Sequence, residues 1–233
     1  ELAELNRKAG VTDTNAAVIE GTQQNGNYWK YDSEGYLILA NDQTTVVTGD
    51  DKTHQSDRGS QISGDNNTGV IISGDRTNNT LSGDSTVTDG AMGIVITGDN
   101  TTNTISGKST VDGGTGALIS GDGTNTTLAG DITVSGGGTA IVLDGDSITV
   151  DNSGISHISG AGSTGAIITG DNAHVSNEGE LTITDGGTGS KITGDGALVD
   201  NQGNSTTSGE GSTGLYIDGN DALVINEGDQ TIS

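Results

Sequence analysis

The sequence predicts an all-β fold, a right-handed parallel β-helix of about eight rungs of roughly 24 residues with three strands per rung, and three observations carry that reading. The first is a repeated phrase. GIVITGD at Gly93–Asp99 recurs as GVIISGD (Gly69–Asp75), GALISGD (Gly116–Asp122), AIVLDGD (Ala140–Asp146), GAIITGD (Gly165–Asp171) and GSKITGD (Gly189–Asp195). TTVVTGD (Thr44–Asp50) precedes these copies and GLYIDGN (Gly214–Asn220) follows them. The last aliphatic residue of each copy serves as an anchor: Val47, Ile72, Ile96, Ile119, Leu143, Ile168, Ile192 and Ile217, with steps of 25, 24, 23, 24, 25, 24 and 25 residues. The second observation is glycine at fixed offsets, two residues after each anchor and, from Ile72 onward, eleven after it. Such positions suit corners with φ > 0 and no room for a Cβ. The third is a period-two alternation between corners, with no 3.6-residue apolar stripe and a composition rich in Gly, Thr, Asn and Ser, which disfavours helices.

Residues 1–43 fit the period poorly and are expected to form an N-terminal cap or entry segment, leaving residues 44–233 as the β-helix. Most of the aromatic residues cluster in the first segment, Tyr28, Trp29, Tyr31 and Tyr36. An end cap accounts for them, and a sugar-stacking platform at Tyr28, Trp29 and Tyr31 is the alternative.

In the first strand of each rung the anchor and the residue two before it point inward, as Ile94 and Ile96 do. The column between them, Val46, Ile71, Val95, Leu118, Val142, Ile167, Lys191 and Tyr216, tolerates Lys and Tyr and is expected to face outward. An external aliphatic ladder of this length is covered by further sequence or used for contact. The second strand changes midway. Asn79/Leu81, Asn103/Ile105 and Thr126/Leu128 give way to Val150/Asn152, Val175/Asn177, Val199/Asn201 and Val224/Asn226, so amide and apolar residue exchange two inward offsets. Stacked Asn at a bend can satisfy its backbone, a structural role.

The third strand carries hydroxyl residues on either side of one inward aliphatic: Thr86/Thr88, Thr110/Asp112, Thr133/Ser135, His157/Ser159, Thr182/Thr184 and Thr206/Ser208. Thr is a good exposed strand residue, and the same regularity makes a flat docking surface. The chain ends at Ser233 in phase with a third strand and without a capping sequence, as expected of a piece of a longer protein.

Composition bounds the function. Only 29% hydrophobic and 2% aromatic residues are too few for an ordinary globular core, but a β-helix needs only a thin internal column. A net charge of −24 disfavours nucleic acid and anionic membrane as partners. With no Cys there is no disulfide framework or Cys-based zinc site, which suits a chain that crosses a membrane unfolded. No transmembrane run or signal peptide is present, so any such segment is expected outside this sequence.

The Gly-Asp corner stacks Asp50, Asp75, Asp99, Asp122, Asp146, Asp171 and Asp195, followed by Asn220. Carboxylates about 5 Å apart repel by about 1 kcal/mol per pair in a water-like dielectric. Backbone N–H groups, raised pKa values or bound cations would offset this. Calcium is an option, although the GGxGxDxUx nonapeptide of calcium-binding β-rolls is absent. His54, His157 and His174 occupy unrelated offsets and give no metal-ligand spacing. The acidic residues follow the repeat instead of clustering at one irregular site, so no catalytic centre is expected. Resident cofactors are not expected either.

The rungs from GVIISGD to GLYIDGN, with their Asn and Thr ladders, resemble the passenger domains of Gram-negative autotransporters, most of all the self-associating adhesins of the antigen 43 and diffuse-adherence group. The resemblance covers about residues 44–233. It implies secretion through an outer-membrane barrel domain, display on the cell surface, and side-by-side docking of passengers on neighbouring cells, with aggregation and biofilm formation. It assigns no contact residues. The ladders themselves nominate Thr86, Thr88, Thr110, Asp112, Thr133, Thr182 and Thr184, with the Asp75, Asp99, Asp122, Asp146, Asp171 and Asp195 row, for self-association. Alternatives are an adhesin for a host glycan or matrix protein, an ice-binding β-helix with paired Thr columns, and a polysaccharide-degrading enzyme.

Overall fold

A computed structural model of the chain describes residues 27–31, 37–41, 45–57, 59–65 and 67–233, and it is the right-handed parallel β-helix that the period predicts. Strands β1 (Asn27–Tyr31) and β2 (Leu37–Asn41) precede the first rung, which consists of β3 (Thr45–Thr48), β4 (Thr53–Ser56) and β5 (Ser60–Ser63). Each later rung repeats these three strands, from Thr68–Ser73, Asn78–Leu81 and Ser85–Thr88 to Thr213–Asp218, Leu223–Asn226 and Gln230–Ile232. The result is a prism with three parallel sheets as its sides, each strand hydrogen-bonded to its equivalents in neighbouring rungs. β2 pairs antiparallel with β3, and β1 with β2, so this hairpin extends the first sheet beyond the first rung.

Register is kept residue for residue, and the anchors form one column from Val47 to Ile217. Val47 to Ile192 in that column are at most 2% exposed. Val87, Val111, Val134 and Ile183 of the third sheet meet them inside, with no exposure. Each fully buried side chain of this kind stabilises the fold by about 1.5–3 kcal/mol, which explains how so lean a composition sustains a core.

The two glycine columns have different causes. At the first corner Gly121 has φ +137, and a Cβ there would lie 2.1 Å from the carbonyl oxygen of Gly98 in the rung before. At the second corner Gly154 is not left-handed, yet its Cβ would lie 2.1 Å from the Gly130 oxygen. The sequence reading that such corners need φ > 0 holds for the first column from Gly49 to Gly194; close stacking alone requires Gly219 and the second column. The truly left-handed site follows the Asp: Asp51, Arg76, Asn100, Ser147, Asn172 and Asp221 all have φ of 56–58°, with Gly123 and Gly196 in the same column. The preference for Asn, Asp and Gly there is the sequence signal of that conformation.

The amide columns are structural, as expected. Asn79 Nδ2 donates to Asn103 Oδ1 at 2.9 Å. In the later rungs Asn152, Asn177 and Asn201 each donate to the next Asn at 2.7–2.8 Å and to the carbonyl of the glycine two residues on.

Candidate adhesive faces

The third sheet brings its nominated residues into two outward columns. Thr86, Thr110 and Thr133 stand in register, His157 interrupts, and Thr182 continues the column. Thr88 and Asp112 share the second column, and Thr184 stands in it beyond Ser159. Thr86 and Asp112 are exposed; Thr88, Thr110, Thr133, Thr182 and Thr184 are half-buried by their neighbours in the sheet. Rungs about 4.8 Å apart make this a flat hydroxyl surface. Asp112 accepts from Ser135 Oγ at 3.2 Å.

The Asp row lies at the corner between the first and second sheets, and its first task is internal. Oδ1 of Asp50 accepts the backbone N–H of Asp75 at 3.0 Å, and the pattern repeats through Asp75, Asp99, Asp122, Asp146 and Asp171 to Asp195 at 2.8–3.0 Å. Asp195 Oδ1 then accepts from Asn220 N at 2.7 Å and from Asn220 Nδ2 at 3.1 Å. Backbone N–H groups therefore meet the stacked carboxylates, the first of the three offsets considered from sequence. Asp75 is half-buried, and Asp99, Asp122, Asp146, Asp171 and Asp195 are exposed, so each exposed carboxylate keeps an outer face towards solvent. Among the described residues no group of three or more His, Asp or Glu side chains is arranged to hold a metal ion.

This geometry separates charge from hydrogen bonding. Asp122→Asn keeps the acceptor for Asp146 N and removes one charge from the row, so stability at neutral pH is expected to change by less than about 0.5 kcal/mol. Asp122→Ala leaves that N–H without its partner and is expected to cost about 1–2 kcal/mol. Chemical denaturation of the two variants checks the difference.

Next to the row, Arg76 reaches back one rung to Asp51, Nε to Oδ1 at 2.6 Å and Nη2 to Oδ2 at 2.9 Å. The guanidinium holds the Asp51 carboxyl below its ordinary value, and the carboxylate raises the Arg76 value in turn. At the third corner, Ser63 Oγ at 2.6 Å and Thr88 Oγ1 at 3.0 Å donate to Asp89 Oδ2 and lower its pKa from the ordinary 3.8. A lowered folded-state value means that Asp89 contributes stability above the unfolded pKa and loses it as pH falls through the folded one. The stability difference between the wild type and Asp89→Asn is therefore expected to be constant at neutral pH and to shift against the wild type as pH falls through that folded value, measured by urea titration at each pH.

Within the strands the carboxylates are few: Asp112, Asp144, Asp151, Asp200 and Asp218. The other acidic residues of the described chain sit between strands, so the corners are acidic and the flat faces close to neutral. In a three-sided prism the first–second corner lies opposite the third sheet. The nominated Thr columns and the Asp row thus cannot contact one flat partner together.

The outer face of the first sheet differs from both. Ile71, Val95, Leu118, Val142 and Ile167 stand in register, half-buried by their neighbours and outside the internal core, followed by Lys191 and Tyr216. Lys191 Nζ lies 5.9 Å from the Tyr216 ring centre. This ladder was legible as outward from its tolerance of Lys and Tyr, but it was not among the nominated contact residues. Tyr28, Trp29 and Tyr31 fall on β1, of which the backbone alone is described, and Tyr36 lies outside the described residues.

A family model described as the BigA and YdbA N-terminal beta barrel domain matches residues 6–40, inside the segment that does not follow the rung period. A Salmonella typhimurium (strain LT2) protein named as the surface-exposed virulence protein BigA is similar, 76% identical over 49 residues. That stretch is 21% of this chain and 2% of the Salmonella protein, so the chain spans only a small part of that relative's length. No solved structure matches the chain.

Proposed function

We propose that the chain is part of a surface-displayed, non-catalytic adhesin whose rod binds a second copy of itself, promoting cell aggregation and biofilm formation. The observation that carries this reading is the division of the prism into long, regular, nearly neutral faces and acidic corners. Faces of that kind suit many weak contacts repeated along a rod, individually small and collectively avid when many molecules meet. The regular sequence of acidic residues, tied to the rungs, supports binding over catalysis. The short similarity to a surface-exposed virulence protein supports display at the cell surface. Resemblance of the rungs to autotransporter passengers supports an outer-membrane barrel as the anchor.

Beads coated with the chain test this. Self-association predicts that they cluster, that free chain competes, and that clustering strengthens with salt, calcium or lower pH, which reduce the repulsion of −24 charges per copy. Beads that stay dispersed under all these conditions but bind a glycan or matrix protein would replace the reading with a heterologous adhesin, with Tyr28, Trp29 and Tyr31 as the first residues to substitute.

A further inference from the structure

We infer that the second copy docks on the outer face of the first sheet, ladder against ladder, with Leu118 near the centre of the contact. This rests on the self-association proposed above and assigns its surface. Of the three faces, this one alone presents an unbroken aliphatic column, Ile71, Val95, Leu118, Val142 and Ile167, that neither the core nor any other described element covers. The column is flanked outward by Ser73, Thr97, Ser120, Asp144 and Thr169, so Asp144 is the one carboxylate within those five strands.

Three arguments select this face and a copy of the same chain upon it: energy chooses the face, periodicity the occupant, and extent shows that the two suffice for an interface. The first is energetic: burying aliphatic surface is favourable outright, whereas a hydroxyl face exchanges water hydrogen bonds for equivalent ones and gains little. The second is periodicity. A ladder whose teeth repeat at the rung spacing, about 4.8 Å, is matched along its whole length by another surface with the same repeat. The third is extent. Six-residue strands over seven rungs give a face of about 700 Å², close to the roughly 800 Å² per partner of a standard interface. Charge adds a condition: the Asp99, Asp122 and Asp146 corner borders this face, so docking brings acidic rims together and depends on screening.

The chain contains no Cys, so one introduced thiol reports one position. Leu118→Cys, Thr133→Cys on the third sheet and Thr127→Cys on the second are oxidised under identical mild conditions, and wild type and Leu118→Glu are compared by sedimentation. The expected result is a disulfide-linked dimer for Leu118→Cys well above the yield of the other two. Leu118→Glu is expected to weaken the dimer about tenfold or more, since docking would bury an unpaired carboxylate. Leu118→Thr, polar but a good strand former, is expected to weaken it in the same direction with unchanged circular dichroism, which guards against misfolding. Preferential cross-linking through Thr133→Cys or Thr127→Cys, with Leu118→Glu still dimeric, would overturn this surface while leaving self-association intact. A wild type that stays monomeric would overturn both.

Discussion

Gly121→Ala is expected to destabilise the chain by about 4 kcal/mol, a magnitude kept for backbone clashes and strain. The added Cβ would sit 2.1 Å from the Gly98 carbonyl oxygen and 2.5 Å from its carbon, at φ +137, where L residues are rare. No rotamer relieves this, because the obstacle is the backbone of the adjacent rung, held by the ladder of all three sheets. The rungs must separate locally. In a solenoid each rung contacts only its neighbours, so the damage is expected to uncouple the rod into two parts that unfold at different urea concentrations. Gly214→Ala is the control. Its Cβ would meet only Thr207 Oγ1, at 3.4 Å, and its φ is not left-handed, so a change within about 0.5 kcal/mol is expected. Urea titration followed by circular dichroism, with limited proteolysis near the altered rung, checks both.

Asn177→Ala is expected to cost about 2–3 kcal/mol, because three hydrogen bonds are lost and partly buried partners are left behind. Asn177 accepts from Asn152 Nδ2 at 2.7 Å and donates to Asn201 Oδ1 at 2.8 Å and to Gly179 O at 3.1 Å. Asn152→Leu is expected to cost less, about 1 kcal/mol. It gives up the two bonds that Asn152 Nδ2 donates, to Asn177 Oδ1 and Gly154 O, but it also removes a buried Oδ1 that has no donor, and the preceding rung already carries Leu128 in the same column, so the amide ladder shortens from its end. Thermal unfolding of the pair distinguishes an interior rung of the ladder from its terminus.

Rung length, strand order and the inward columns were legible because every constraint in a solenoid is written once per repeat. The fixed spacing of Val47 and Ile72 from the following Gly is both a sequence pattern and a lumen position. Likewise the swap from Asn79/Leu81 to Val150/Asn152 is visible because the two inward offsets stay fixed while their contents exchange. Contact residues were harder to read, because a periodic surface writes the same residues on faces that point in different directions. Thr110 and Asp122 looked like parts of one adhesive set, and only the three-sided cross-section places them on opposite sides of the prism. For the Asp row the spacing leaves backbone N–H groups, raised pKa values and cations all open as offsets to repulsion, and only the structure shows that Oδ1 of each Asp receives the N–H of the next rung. In residues 27–41, β1 and β2 carry no repeat from which their antiparallel pairing could be inferred.

Sedimentation velocity of the purified chain over a concentration series, at low salt, at physiological salt and with calcium, tests self-association most directly. A monomer–dimer equilibrium that tightens as screening increases and weakens in Leu118→Glu is the expected result. A single monomeric species at every concentration and in every buffer would contradict the account and leave a heterologous ligand to be sought.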